Sequence, residues 1–132
     1  MKTNSYALSL SIVAITLSTS LHAADYPLKP VRVIAGFPAG SAVDIVARVV
    51  SQKLSETYAQ RFIVDARPGA SSNIATAFAA KAPADGYTLF MGTVANTINA
   101  TLYAKLPFDF TRQFAPIALT ASAANSTLTS AK

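Results

Sequence analysis

The sequence contains no cysteine and no tryptophan, and its one histidine is His22. Without cysteine there is no disulfide framework, no thiol nucleophile and no residue to carry a lipid anchor. Without a histidine beyond position 22, the rest of the chain cannot assemble a Ser-His-Asp triad or a typical zinc site. Acidic residues are scarce too, five Asp and one Glu, and none follows the spacing of a calcium-binding loop. The usual groups of hydrolytic and metal-assisted chemistry are therefore missing. No catalytic residue, metal ligand or cofactor is assigned, and the chain is not expected to be an enzyme. A small hydrolase would need a general base that this composition does not offer.

The 11 Lys and Arg residues are scattered singly, with no basic run and no basic patch interleaved with aromatics. Nucleic acid is accordingly not an expected partner. A mildly basic balance of this kind permits small anionic ligands without requiring them.

What is present begins with a leader. Lys2 precedes an uncharged, largely apolar run from Ala7 to Leu21, followed by small residues. That order is the pattern of a secretory signal peptide. A membrane-spanning helix needs about 18 or more consecutive apolar residues, and this run is broken by Ser9, Ser11, Thr16 and the Ser18-Thr19-Ser20 triplet. Cleavage is expected after Ala23, with the bond after Ala24 as the alternative. Removing residues 1–23 leaves 109 residues, whose ten Lys and Arg against six Asp and Glu give a side-chain charge of +4. A chain of this size forms one small domain and buries roughly two thirds of its unfolded surface.

Strand and helix patterns then alternate. Pro30 to Phe37 is a short β-branched run that reads as a buried strand. Beyond the Pro38-Ala39-Gly40 turn, Val43, Val46, Val49, Val50, Leu54 and Tyr58 form one apolar stripe of an amphipathic helix. Arg61 to Arg67 reads as a second strand closed by Pro68-Gly69. An Ala-rich helix follows, started by Ser71 or Ser72 and stopped by Pro83. Asp85-Gly86 turns the chain into a third strand, Tyr87 to Thr93. Asn96 to Leu106 reads as a further helix and Phe114 to Ala121 as a fourth strand. This alternation argues for an α/β fold with a parallel sheet covered on both faces. The last stretch, 122–132, has a single large apolar residue, Leu128, and reads as an unpacked tail.

In open α/β sheets, ligands bind beyond the carboxyl ends of the strands. Phe37 to Asp44, "FPAGSAVD", lies at such a place. It lacks the spacing of a Walker loop or of the G-x-G-x-x-G dinucleotide pattern. What it offers is a turn at Gly40 whose amides, with the positive end of the following helix, can face a carboxylate or phosphate. Ser41 and Asp44 also have the S-x-x-D spacing of a capping box, in which Ser41 accepts from the amide of residue 44 and the Asp44 carboxylate reaches back to the Ser41 amide. Cap and ligand loop are compatible readings.

Four segments, residues 26–48, 67–93, 98–109 and 114–121, together resemble the Bug-type solute-binding proteins of tripartite tricarboxylate transporters. The resemblance rests on F-P-x-G-x-x-x-D at Phe37 to Asp44, R-P-G-A with N-I at Arg67 to Ile74, and A-D-G-Y-T-L-x-x-G-T at Ala84 to Thr93. It implies a parallel-sheet lobe of a periplasmic-binding-protein-like type II fold, which closes with a second lobe on a small carboxylate-type ligand and delivers it to membrane permease subunits. The location implied is the periplasm.

By the same resemblance, Phe37, Pro38, Ala39, Gly40, Ser41 and Asp44 form the ligand loop, and Asn73, Thr93 and Asn99 lie near the cleft. The plain alternatives for Thr93, Asn73 and Asn99 are a strand-end turn, a helix cap and a polar residue at a helix C-terminus. The chain departs from the family pattern at Ser41, Ser71, Ser72 and Ala75, where glycines are usual, and at Ala66 in place of an Asn. Family members are more than twice as long. Residues 24–121 therefore read as a partial first lobe, cut before the second. A remnant or exported interaction protein that binds no metabolite is the alternative.

Overall fold

The computed structural model describes residues 26–122; the expected leader and all but the first residue of the expected tail lie outside the described residues. The elements are β1 (Val31–Ala35), α1 (Ala42–Tyr58), β2 (Phe62–Ala66), a short 3₁₀ turn (Ala70–Ser72), α2 (Asn73–Ala80), β3 (Thr88–Met91) and α3 (Val94–Leu102). The three strands form a parallel sheet in the order β2-β1-β3, with Val33 opposite Val64 on one side and Leu89 on the other. Alternating patterns of short β-branched runs and helices thus produce the expected α/β lobe.

The central strand sets the core. Val31, Val33, Ile34 and Ala35 are all buried, whereas Arg32 is exposed. Successive strand residues point to opposite faces. Val33 and Ala35 therefore meet α1 through Ala47, flanked by Val43, Phe62, Val64, Leu89 and Met91. Arg32 lies on the other face, near Phe78 of α2. The two crossover helices cover opposite faces of the sheet.

Three expectations change in detail. The buried face of α1 is not the full apolar stripe: Ala47 and Ser51 are buried, while Val49 and Tyr58 are exposed. Small side chains allow the helix to approach the sheet closely, and a count of large apolar residues misses them. Helix α3 starts at Val94, earlier than Asn96, and ends at Leu102. The expected fourth strand, Phe114 to Ala121, is not a strand. It has no ladder partner among the described residues, and Ile117 and Leu119 stand 81% and 85% exposed. Only its first residue is tied in, where Phe114 forms an aromatic cluster with Phe110 and Phe90.

The turn between β2 and α2 is the least relaxed part of the backbone. Gly69, Ala70, Ser71 and Ser72 all have positive φ, at 132°, 47°, 52° and 73°. Only Gly adopts such values without a steric cost. The expected side-chain cap from Ser71 or Ser72 does not form, because neither makes a capping hydrogen bond to α2. Ser72 instead sits buried against Gly36, at the carboxyl end of β1, where an added Cβ would collide with its side chain and backbone.

This arrangement generates a paired prediction for stability, read by urea denaturation. Gly36→Ala should destabilise the lobe by about 1–3 kcal/mol, the range for overpacking a filled site. Ser71→Gly, at an exposed position of positive φ, should stabilise it by about 1 kcal/mol. A neutral Gly36→Ala would show that the strand end yields freely.

Candidate functional site

All three strands point their carboxyl ends at one edge, so residues 36–41, 67–72 and 92–93 gather there. Because β1 is central, the chain leaves it toward β2 on one side and later returns to β3 on the other. The crevice between the loops after β1 and β3 is thus the switch point at which open α/β sheets hold ligands. Phe37 to Ser41 line one side of it, and Gly92-Thr93 the other.

The loop after β1 is held by its own hydrogen bonds. Gly40 has φ 83°, and no atom lies within 4 Å of where its Cβ would be, so glycine serves the backbone here and not a close approach. The Ser41 amide donates to the Pro38 carbonyl at 3.1 Å, and the Ile45 amide to the Ser41 carbonyl at 2.9 Å. Ser41 caps α1, accepting from the Asp44 amide at 3.3 Å. The reciprocal half of the expected box differs by one residue. The Asp44 carboxylate takes the Gly40 amide, at 2.9 Å, because the Ser41 amide is already committed to Pro38. The first two helical amides, of Ala42 and Val43, have no intrahelical acceptor. They are the donors that the loop's own hydrogen bonds leave unused.

Asp44 is 2% exposed, and its Oδ2 also accepts from Arg48 Nε at 2.8 Å. The Arg48 hydrogen bond, helped by the Gly40 amide, holds the Asp44 carboxyl below its ordinary value against the opposing effect of burial. Its Oδ1 is buried without a partner among the described residues.

Behind the crevice lies a buried amide network. Asn96 Oδ1 accepts from the Thr93 amide at 2.8 Å and the Thr93 hydroxyl at 3.1 Å, while Asn96 Nδ2 donates to Thr76 Oγ1 at 2.9 Å and Ser72 Oγ at 3.2 Å. Asn99 Nδ2 donates to the Ser71 carbonyl at 2.7 Å and to Asn73 Oδ1 at 2.9 Å. The structure therefore brings Asn73 and Asn99 together, but toward each other. Asn99 lies inside α3 and is buried, not at the helix C-terminus. Asn73 is the first residue of α2, and Thr93 is the N-cap of α3. Asn96 is the residue that sequence reasoning misses. Its signal is the T-x-x-N spacing from Thr93, a variant of the capping-box pattern.

Among the described residues, no three His, Cys, Asp or Glu side chains come together as a metal site. The edge offers amides, hydroxyls and side-chain carboxamides, which suit binding by hydrogen bonds. Residues 46–132 match the profile of the tripartite tricarboxylate transporter family receptor. The chain belongs to that family.

It is a family of solute-binding receptors, not of enzymes. A UPF0065 protein of Bordetella bronchiseptica is 38% identical over 116 residues, covering 85% of this chain and 35% of that protein. The solved R. palustris protein Rpa4515 with adipate is 40% identical, with a TM-score of 0.58 over 64% of this chain and 28% of its own. MatC from Rhodopseudomonas palustris with bound malate is 28% identical, with a TM-score of 0.65 over 72% of this chain and 33% of its own. The described lobe thus has the α/β architecture of periplasmic binding proteins. The chain spans about a third of the length of the curated relatives it matches.

The loop's dependence on Asp44 makes it sensitive to acid. A carboxyl lowered in the folded state contributes stability that is fully present above its unfolded value, about 4, and is lost as pH falls through the folded value. The protection of the Gly40 amide, its exchange rate measured against the intrinsic rate at the same pH, should therefore be lost below about pH 4, and Asp44→Ala should remove that protection at every pH. A Gly40 protection factor that is the same at neutral and acid pH would show that Asp44 does not hold the loop.

Proposed function

We propose that this chain supplies a ligand-facing wall of an exported receptor, which captures a small carboxylate in the periplasm and delivers it to the membrane permease subunits of a tripartite transporter. The reading is carried by the loop from Phe37 to Asp44. It sits at the switch point of the sheet, in a member of a solute-receptor family, with the Ala42 and Val43 amides free at the start of a 17-residue helix. Phe37, Pro38 and Ala39 frame the loop, and Gly40 and Ser41 set its turn. Asp44 fixes the loop from below. Thr93, Asn73 and Asn99 act from the other side of the crevice, chiefly by holding the backbone that lines it.

The remaining assignments follow the same reading. Residues 1–23 direct export, and residues 24–121 form part of the first lobe of a type II arrangement. A second lobe closes over the ligand, because small-molecule sites bury most of the ligand surface and hinge closure is the usual means. Adipate and malate, the ligands of the two solved relatives, support a dicarboxylate as the first class to test.

The test is calorimetric titration of the two-lobed receptor with malate, adipate and citrate. Gly40→Val meets no neighbouring atom, so its cost to stability is that of a side chain at positive φ, about 1–2 kcal/mol. Its effect on affinity should be larger than its effect on folding, with a loss in binding of about thirtyfold or more, or roughly 2 kcal/mol. Unchanged affinity in Gly40→Val, alongside lost binding in a Thr93→Val variant that still folds, would move the ligand away from this loop.

A further inference from the structure

On the α2 face of the sheet, two guanidinium groups share one anion. The Arg67 guanidinium lies 3.7 Å over the ring of Phe78, and that of Arg32 lies 5.3 Å from the same ring. Asp65 Oδ2 accepts from Arg67 Nε at 3.1 Å and also from Arg32 Nη2. Beside them, Arg32, Phe78, Lys81, Ala82, Pro83 and Thr88 line a groove of about 420 Å³.

Asp65 uses one donor of each guanidinium, and each has five. Lys81 is exposed and makes no ion pair among the described residues. Arg32, Arg67 and Lys81 against Asp65 leave a local excess of two positive charges. Phe78, Ala82 and Pro83 supply apolar surface directly beneath it. Arg32 and Thr88, which line the groove, lie near the amino ends of their strands and away from the crevice at Phe37 to Ser41, whereas Arg67, which follows the carboxyl end of β2, meets the groove only through Phe78 and Asp65.

We propose that this groove docks an acidic segment of a protein partner, with a carboxylate side chain between Arg32 and Lys81 and a neighbouring apolar side chain on Phe78, Ala82 and Pro83. Its exposure to solvent favours a segment over a free acid. The Arg32 side chain is 47% exposed, so a small molecule would keep most of its surface in water. A single exposed ion pair contributes little, whereas a segment brings several carboxylates and an apolar contact at once. A partner bound here would leave the carboxyl edge free for solute. The proposal is independent of the solute reading.

The test uses the full chain with ¹⁵N-labelled arginine. It is titrated with the peptide Glu-Glu-Leu-Glu-Glu, its all-glutamine counterpart, and succinate, while the Arg32 and Arg67 Nε resonances are followed. The acidic peptide should shift both, and raising salt to about 1 M, where the Debye length is about 3 Å, should abolish the shifts. Lys81→Glu, an exposed change at the end of α2, should weaken the peptide about fivefold with the circular dichroism unchanged. Arg32→Gln, which takes away one of the two cations proposed to hold the carboxylate, should remove most of the interaction. Equal shifts with the glutamine peptide, equal affinity for succinate, or undiminished binding in Lys81→Glu would each overturn the proposal.

Discussion

With no Cβ on Gly36, Ser72 sits directly against the backbone at the end of β1, and the geometry of the carboxyl edge depends on that contact. Ser72 Oγ accepts from Asn96, which also holds Thr93 and Thr76; Asn99 meanwhile holds Ser71 and Asn73. The end of the central strand, the turn before α2 and the start of α3 are therefore fixed relative to one another by one close approach and two carboxamides. Unpaired buried polar groups cost about 1–3 kcal/mol each. Both the oxygen and the nitrogen of the Asn96 carboxamide are hydrogen-bonded, so the network holds its shape at little desolvation cost.

The same contact accounts for the strained turn. Three consecutive non-glycine residues at positive φ would each favour a different backbone in isolation, at a cost on the order of 1–3 kcal/mol apiece. They persist because the surroundings determine the path. Arg67 donates its amide to the Ala35 carbonyl at 2.8 Å, the Ser71 carbonyl is tied to Asn99, and Ser72 is wedged at Gly36. Strain is thus concentrated at the carboxyl edge, in a turn whose path is fixed by its surroundings.

Much of this lobe is legible in the sequence, for identifiable reasons. The β-branched run at Val31 to Ala35, the Gly and Pro punctuation and the helical periodicity are local signals, and they locate three strands and three helices. The turn at Gly40 and the Ser41 cap are legible because capping chemistry acts over a few residues. The failures are mostly long-range. Whether Phe114 to Ala121 becomes a strand depends on a neighbour to pair with, not on its own residues. The inward turn of Asn73 and Asn99 depends on α2 and α3 meeting across 26 positions of sequence. The one-residue shift in the Asp44 bond is local, but it depends on the Ser41 amide being taken by Pro38, which spacing alone does not reveal.

A carboxylate at the start of α1 sets a negative charge beside the first-turn amides, and the local arrangement offsets it. Asp44 pairs with Arg48, one turn along the helix, through Oδ2, the same oxygen that accepts the Gly40 amide, so a guanidinium balances its charge while it holds the loop. Ser41 and Asp44 between them take up the amides of residues 40, 44 and 45, counting the Ser41 carbonyl. Two first-turn amides remain, Ala42 and Val43. The acid that fixes the loop is thus neutralised within α1 itself, and the two amides stand beside a balanced charge instead of a bare one.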